Sequence, residues 1–98
     1  MSVTTEALLD SSTVPSLSEL TEIQSFDDGG VVLNTRSGQL YSCNHVTLAY
    51  LEMVDGERSI AEISEAIAEA YGEPLAEVQS DLLDISAEFA REGLVTFR

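Results

Sequence analysis

The feature that most constrains this chain is a single change of hydrophobic period, from two to 3.6, at Asn44. Before it, Val31-Val32-Leu33-Asn34-Thr35 and Gln39-Leu40-Tyr41-Ser42-Cys43 are β-branched and aromatic runs on either side of Arg36-Ser37-Gly38. Two such runs around a short glycine-containing break predict a β-hairpin. After it, Leu48, Leu51 and Val54 recur at helical spacing, and Asn44 is the residue type that caps the free N–H groups of a new helix. Asp55-Gly56 then stops that helix.

Two further helices are predicted. Ser59 and Glu62 have capping-box spacing, Ile60, Ile63, Ile67 and Ala70 make one apolar face, and Gly72 supplies a left-handed residue past the end. Pro74 suits the first turn of the next helix, whose stripe is Leu75, Val78, Leu82, Ile85 and Phe89 and whose stop is Gly93. Upstream, Leu20 to Phe26 reads as a first strand ending at Asp27-Asp28-Gly29-Gly30. Residues 1–18, with Pro15 and many Ser, Thr and acidic residues, read as a flexible N-terminal tail, leaving 19–98 as one domain. The predicted fold is α+β: a three-stranded antiparallel sheet followed by three helices, similar to a winged helix-turn-helix.

That topology suggests DNA, and charge argues against it. The chain has 18 acids, four arginines, no lysine and a net charge of −14. The third helix, which would enter a groove, carries Glu77, Asp81, Asp84 and Glu88 against Arg91 alone. Each such acid repels phosphate instead of releasing counterions. Anionic membrane surfaces are disfavoured for the same reason, whereas a cationic partner would be attracted. No run approaches the ~20 apolar residues of a membrane span, and the start lacks a secretory signal, so a cytoplasmic protein is expected.

Catalytic chemistry is scarce. One cysteine excludes an internal disulfide, and Cys43 with His45 lacks the partners of a zinc site. Glu65, Glu69, Glu73 and Glu77 recur every four residues, but Gly72 and Pro74 break the helix between them. Gly29-Gly30 lacks the spacing and basic residue of a phosphate loop. Asp10-Ser11-Ser12 does not match the Asp-Ser-Leu attachment site of acyl carriers. No catalytic residue, metal or cofactor is expected.

Over residues 30–97 the order of landmarks resembles the PqqD family, the prototype of the recognition elements that serve ribosomally synthesised and modified peptides. The matching residues are Gly30-Val31-Val32-Leu33-Asn34, the turn at Gly38, Tyr41-Ser42-Cys43-Asn44, and Asp55-Gly56-Glu57-Arg58-Ser59-Ile60-Ala61-Glu62-Ile63. Tyr71, Asp81-Leu82-Leu83 and Gly93-Leu94-Val95 complete the set. Cys43 replaces a larger apolar residue, and the proline-containing strand of the quinone-cofactor proteins is missing around residues 31–36. These departures favour a stand-alone element for another product, such as a lasso peptide or a radical-SAM-modified peptide.

The resemblance implies a leader-peptide-binding protein that delivers a precursor peptide to a maturation enzyme, either a leader protease or a radical SAM enzyme. The leader would add as a strand to the third strand, Gln39, Leu40, Tyr41, Ser42 and Cys43, with Tyr41 and Cys43 facing the third helix. A flanking stripe of that helix, Gln79, Leu83, Ser86 and Ala90, is the expected other wall, with Ser86 and Ala90 leaving room for a peptide side chain. A monomer or weak dimer is expected. The alternative is a winged-helix regulator acting through protein contacts.

Overall fold

The computed structural model describes residues 9–97. In chain order the elements are β1 (Pro15–Leu17), β2 (Thr21–Phe26), β3 (Gly29–Asn34), β4 (Leu40–Cys43), α1 (His45–Met53), α2 (Ile60–Tyr71), α3 (Leu75–Arg91) and β5 (Val95–Phe97). Strands β2, β3 and β4 form the expected antiparallel meander, in that order, and β1 pairs with β5 as a separate two-stranded sheet. The α+β architecture read from the period change is therefore present, with one addition at the termini.

That addition corrects the tail. Pro15, Ser16 and Leu17 pair with Phe97, Thr96 and Val95, inside the segment read as flexible. The physical reason lies at the start of α2, where N–H groups lack partners within the helix. Ile60 N–H donates to the Thr13 carbonyl at 2.9 Å and Ala61 N–H to the Ser11 carbonyl at 2.8 Å, while Gly56 N–H donates to Pro15 at 3.0 Å. Residues 11–15 are thus held through their backbone carbonyls, which side-chain composition does not reveal. Residues 1–8 and 98 lie outside the described part.

The caps behave as the sequence dictates. Asn44 Oδ1 accepts from Thr47 N–H, Ser59 and Glu62 close a reciprocal capping box, and Gly72 ends α2 at φ +65°. Asp55 Oδ1 accepts the N–H groups of both Glu57 and Arg58 at 2.9 Å, which holds its carboxyl below the usual carboxylate range. The Asp-Gly-Glu-Arg segment therefore builds a turn.

Val32 from the sheet meets Leu48, Tyr50 and Leu51 of α1, Ile60, Ile63 and Ile67 of α2, Val78, Leu82 and Phe89 of α3, and Leu94 and Val95 beyond it. Burying each large apolar side chain contributes roughly 1.5–3 kcal/mol. Three stripe assignments shift. Ala70 and Leu75 are exposed, and Ile85 is half-buried; Ser64 and Ser86 are fully buried in their place. Ser86 is inside because Tyr50, fully buried on α1, shares a hydrogen bond with its hydroxyl. Burial lifts the Tyr50 phenol to about 12, against the pull of that bond.

Candidate functional site

The sheet has two outer strands, β2 and β4, and β4 is the one beside a helix. Its position is set from β3. Asn34 N–H donates to the Gln39 carbonyl at 3.0 Å, and Asn34 Oδ1 accepts from Arg36 and Ser37 N–H, shaping the turn that starts β4. The same side chain donates through Nδ2 to the Glu92 carbonyl at 2.9 Å, at the end of α3. One buried amide thus ties the hairpin turn to the helix and fixes the spacing between β4 and α3. Sequence reading gave Asn34 no such role.

Glycine lets the start of β3 pack closely against both neighbouring strands. A Cβ at Gly30 would lie 2.4 Å from the Gln24 carbonyl oxygen, and one at Gly29, where φ is +148°, 2.3 Å from that of Cys43. Both positions require glycine. The Gly29-Gly30 pair is therefore a packing device.

Register determines what β4 offers. The antiparallel pairs are Gly30 with Cys43, Val31 with Ser42, Val32 with Tyr41 and Leu33 with Leu40. Antiparallel pairs alternate between bonded and non-bonded, and the Asn34–Gln39 bond sets the phase. Tyr41 and Cys43 therefore bond inward to β3, while the N–H and C=O groups of Leu40 and Ser42 point away from the sheet. Two residues of open ladder result.

Side chains alternate as well. Tyr41 packs toward α3, its ring centroid 6.3 Å from that of Phe89, and its hydroxyl donates to Glu92 Oε1. That bond and the adjacent carboxylates of Glu92 and Glu88 push the phenol up to about 12. Cys43 is buried on the same face, and burial raises its thiol pKa. Leu40, 62% exposed, and Ser42 lie on the opposite face, and Gln39 is exposed in the turn.

Of the expected helix residues, Gln79, Leu83 and Ala90 lie on the flank of α3 away from β4. At 3.6 residues per turn, Asp81, Ile85, Glu88 and Glu92 lie on one side of the Val78–Leu82–Phe89 stripe, and Gln79, Leu83 and Ala90 on the other. Tyr41 meets Phe89, Glu88 and Glu92, so β4 runs beside the first flank. Gln79 and Leu83 instead line a hollow of about 420 Å³ with Leu75, Ala76 and Ser80. Ala90 is half-buried on that far flank. Ser86 is 0% exposed and bonded to Tyr50, so it opens no space for a guest.

Where β4 passes into α1 there is a second hollow, of about 450 Å³. Val46 and Ile85 form its apolar wall, and Glu73, Asp81 and Asp84 its acidic rim, with Asn44, His45 and Thr47 completing it. His45 Nε2 lies 3.7 Å from Glu73 Oε2, and the His45 ring packs 5.1 Å from Tyr71. The spacing 81, 85, 88, 92 was available in the sequence as a stripe signal.

No group of three or more His, Cys, Asp or Glu residues that could hold a metal occurs among the described residues. No described helix is long and apolar enough to cross a membrane.

A strand meander on a three-helix base, with one outer strand running beside the last helix, defines a class of small α+β domains. The chain belongs to the PqqD family, whose sequence model, described as Coenzyme PQQ synthesis protein D, matches residues 29–95. Three solved structures share the fold. The PqqD truncation of Methylobacterium extorquens PqqCD, described as a functional, stand-alone recognition element for ribosomally synthesised and modified peptides, superposes with a TM-score of 0.74 at 22% identity, covering 89% of this chain and 93% of that one. TbiB1 in complex with the TbiA(beta) leader peptide gives 0.71 at 22% identity, over 82% and 93% of the two chains. A lasso peptide synthetase B1 complexed with its leader peptide gives 0.71 at 17% identity, over 85% and 98%. A search of curated proteins finds no match.

Proposed function

We propose that this protein binds the leader segment of a ribosomally made precursor peptide by strand addition to β4 and delivers it to a maturation enzyme, without performing chemistry itself. The observation that carries the reading is the open ladder of Leu40 and Ser42 beside a helix wall, in a chain of the PqqD family. Two structures of the same fold are complexes with leader peptides, which supports the partner class. Backbone bonds to Leu40 and Ser42 supply general affinity, and the open part of the flank, at Asp81 and Ile85, reads peptide side chains. Holding the precursor near a leader protease or radical SAM enzyme raises its effective concentration there. Nucleic acid is disfavoured as partner because α3 presents carboxylates where phosphate contacts would be needed.

The test is an NMR titration with the leader of a precursor peptide encoded beside this gene. Shifts at Leu40 to Cys43 and at Ile85, Glu88 and Glu92 are expected. Saturable binding that moves other residues and leaves β4 unchanged would remove strand addition.

A further inference from the structure

We infer that the hollow where β4 passes into α1 is a subsite for a lysine or arginine side chain of the added peptide, an inference that rests on strand addition at β4. Three observations converge on it. The first is position. The hollow opens directly after Cys43, so a strand paired with Leu40 and Ser42 runs over it as it continues past the end of β4.

The second is that the groove is filled at its other end. There the Tyr41 ring packs on Phe89 and its hydroxyl donates to Glu92, bridging strand to helix. A guest side chain at that end must displace the bridge. The Asn44 end contains about 450 Å³ of open space.

The third is the chemistry of the lining. Val46 and Ile85 are partly buried apolar walls packed against the core, while Glu73, Asp81 and Asp84 stand at the rim. Glu73 has His45 beside it, and neither Asp81 nor Asp84 forms a salt bridge among the described residues. A wholly apolar guest would strip water from carboxylates without compensation, and an anionic guest would be repelled. A long cationic side chain satisfies both surfaces, its methylene stem on Val46 and Ile85 and its charged head at the Asp81–Asp84 rim. The subsite thereby gives the chain's acidity a local use beyond general attraction of cations.

The test uses three labelled decapeptides of alternating valine and X, with X lysine, glutamine or glutamate, so that registers two residues apart all place X on the helix side. Anisotropy is read at several salt concentrations, and amide shifts are recorded in parallel. Charge-assisted contacts lead to an expected gain of about tenfold for the lysine peptide over the glutamine peptide, with the glutamate peptide weakest. Asp81→Asn with Asp84→Asn should remove about tenfold of that affinity, and Glu65→Gln with Glu69→Gln on exposed α2 positions, an equal charge change, less than about threefold. If lysine and glutamine peptides bind equally and both shift Leu40 and Ser42, the subsite is wrong and strand addition stands. If the two double variants lose the same affinity, net charge is the cause and the subsite is again wrong. Tight lysine-peptide binding with no shift at Leu40 or Ser42 would overturn both readings.

Discussion

Strands β2 and β4 are both edges of one three-stranded sheet, and both turn unpaired backbone groups outward: Ile23 and Ser25 on β2, Leu40 and Ser42 on β4. They differ in what stands beside them. Along β4, Phe89 and Glu92 contact Tyr41, and the acidic hollow follows at Asn44. β2 is the longer strand, yet it packs mainly on β3, and four of its six residues in a row or alternation, Glu22, Gln24, Ser25 and Phe26, are exposed. An open ladder gives affinity for any strand, so a wall that reads side chains is what makes one edge a site. Among these edges that wall belongs to β4.

The largest expected effect sets two serines against each other. Ser42→Pro removes an outward N–H and places a ring where the added strand must approach, while costing no bond to β3. Leader affinity should fall about tenfold to hundredfold, the loss of one or two backbone bonds. Ser25→Pro makes the same change on β2 and should leave affinity within about twofold. Isothermal titration of both variants checks the pair; equal losses would erase the distinction between the edges.

Next in size is the choice of helix flank. Ile85→Asp should weaken leader binding about tenfold, whereas Leu83→Asp, across the core stripe, should change it less than about threefold. Both substitutions load a half-buried site, so thermal melts accompany the titrations.

A smaller effect concerns stability alone. Ser86→Ala leaves the buried Tyr50 hydroxyl without its partner and should cost about 1–2 kcal/mol in urea unfolding. Affinity for the leader should not move, since the residue belongs to the core.

The smallest effect is a pH dependence at the Tyr41–Glu92 bridge. The Tyr41 phenol is raised from 10.0 to about 12 in the folded chain, so its neutral form is the stabilised one. Its contribution is complete below pH 10 and is lost as pH rises from 10 toward 12. Spectrophotometric titration should show two tyrosines ionising near 12, Tyr41 and Tyr50, and Tyr41→Phe should remove one of them.

Much of this fold was legible because local chemistry and tertiary structure agree. The hairpin, the Asn44 cap, the Ser59–Glu62 box and the Gly72 stop are each set by neighbours within a few residues. The β1–β5 pair was not, because it joins segments at opposite ends of the chain through backbone groups, which leave no side-chain pattern. The edge strand and the inward turn of Tyr41 followed from alternation once the family resemblance had oriented it. Which flank of α3 lies beside β4 was not legible, for a geometric reason. An amphipathic helix has two flanks, and spacing alone does not say on which side the sheet lies. Choosing by residue size then misread Ser86, which is small because Tyr50 occupies the space above it. Asn34 escaped notice because its two roles, in the turn and at the end of α3, connect residues 58 positions apart.

The central claim, that a peptide adds to β4 and not to β2, is tested most directly by amide hydrogen exchange with and without saturating leader peptide. Slowed exchange at Leu40 and Ser42, with Ile23 and Ser25 unchanged, is the expected result. Protection at Ile23 and Ser25 instead, or peptide binding that protects neither pair, would contradict it.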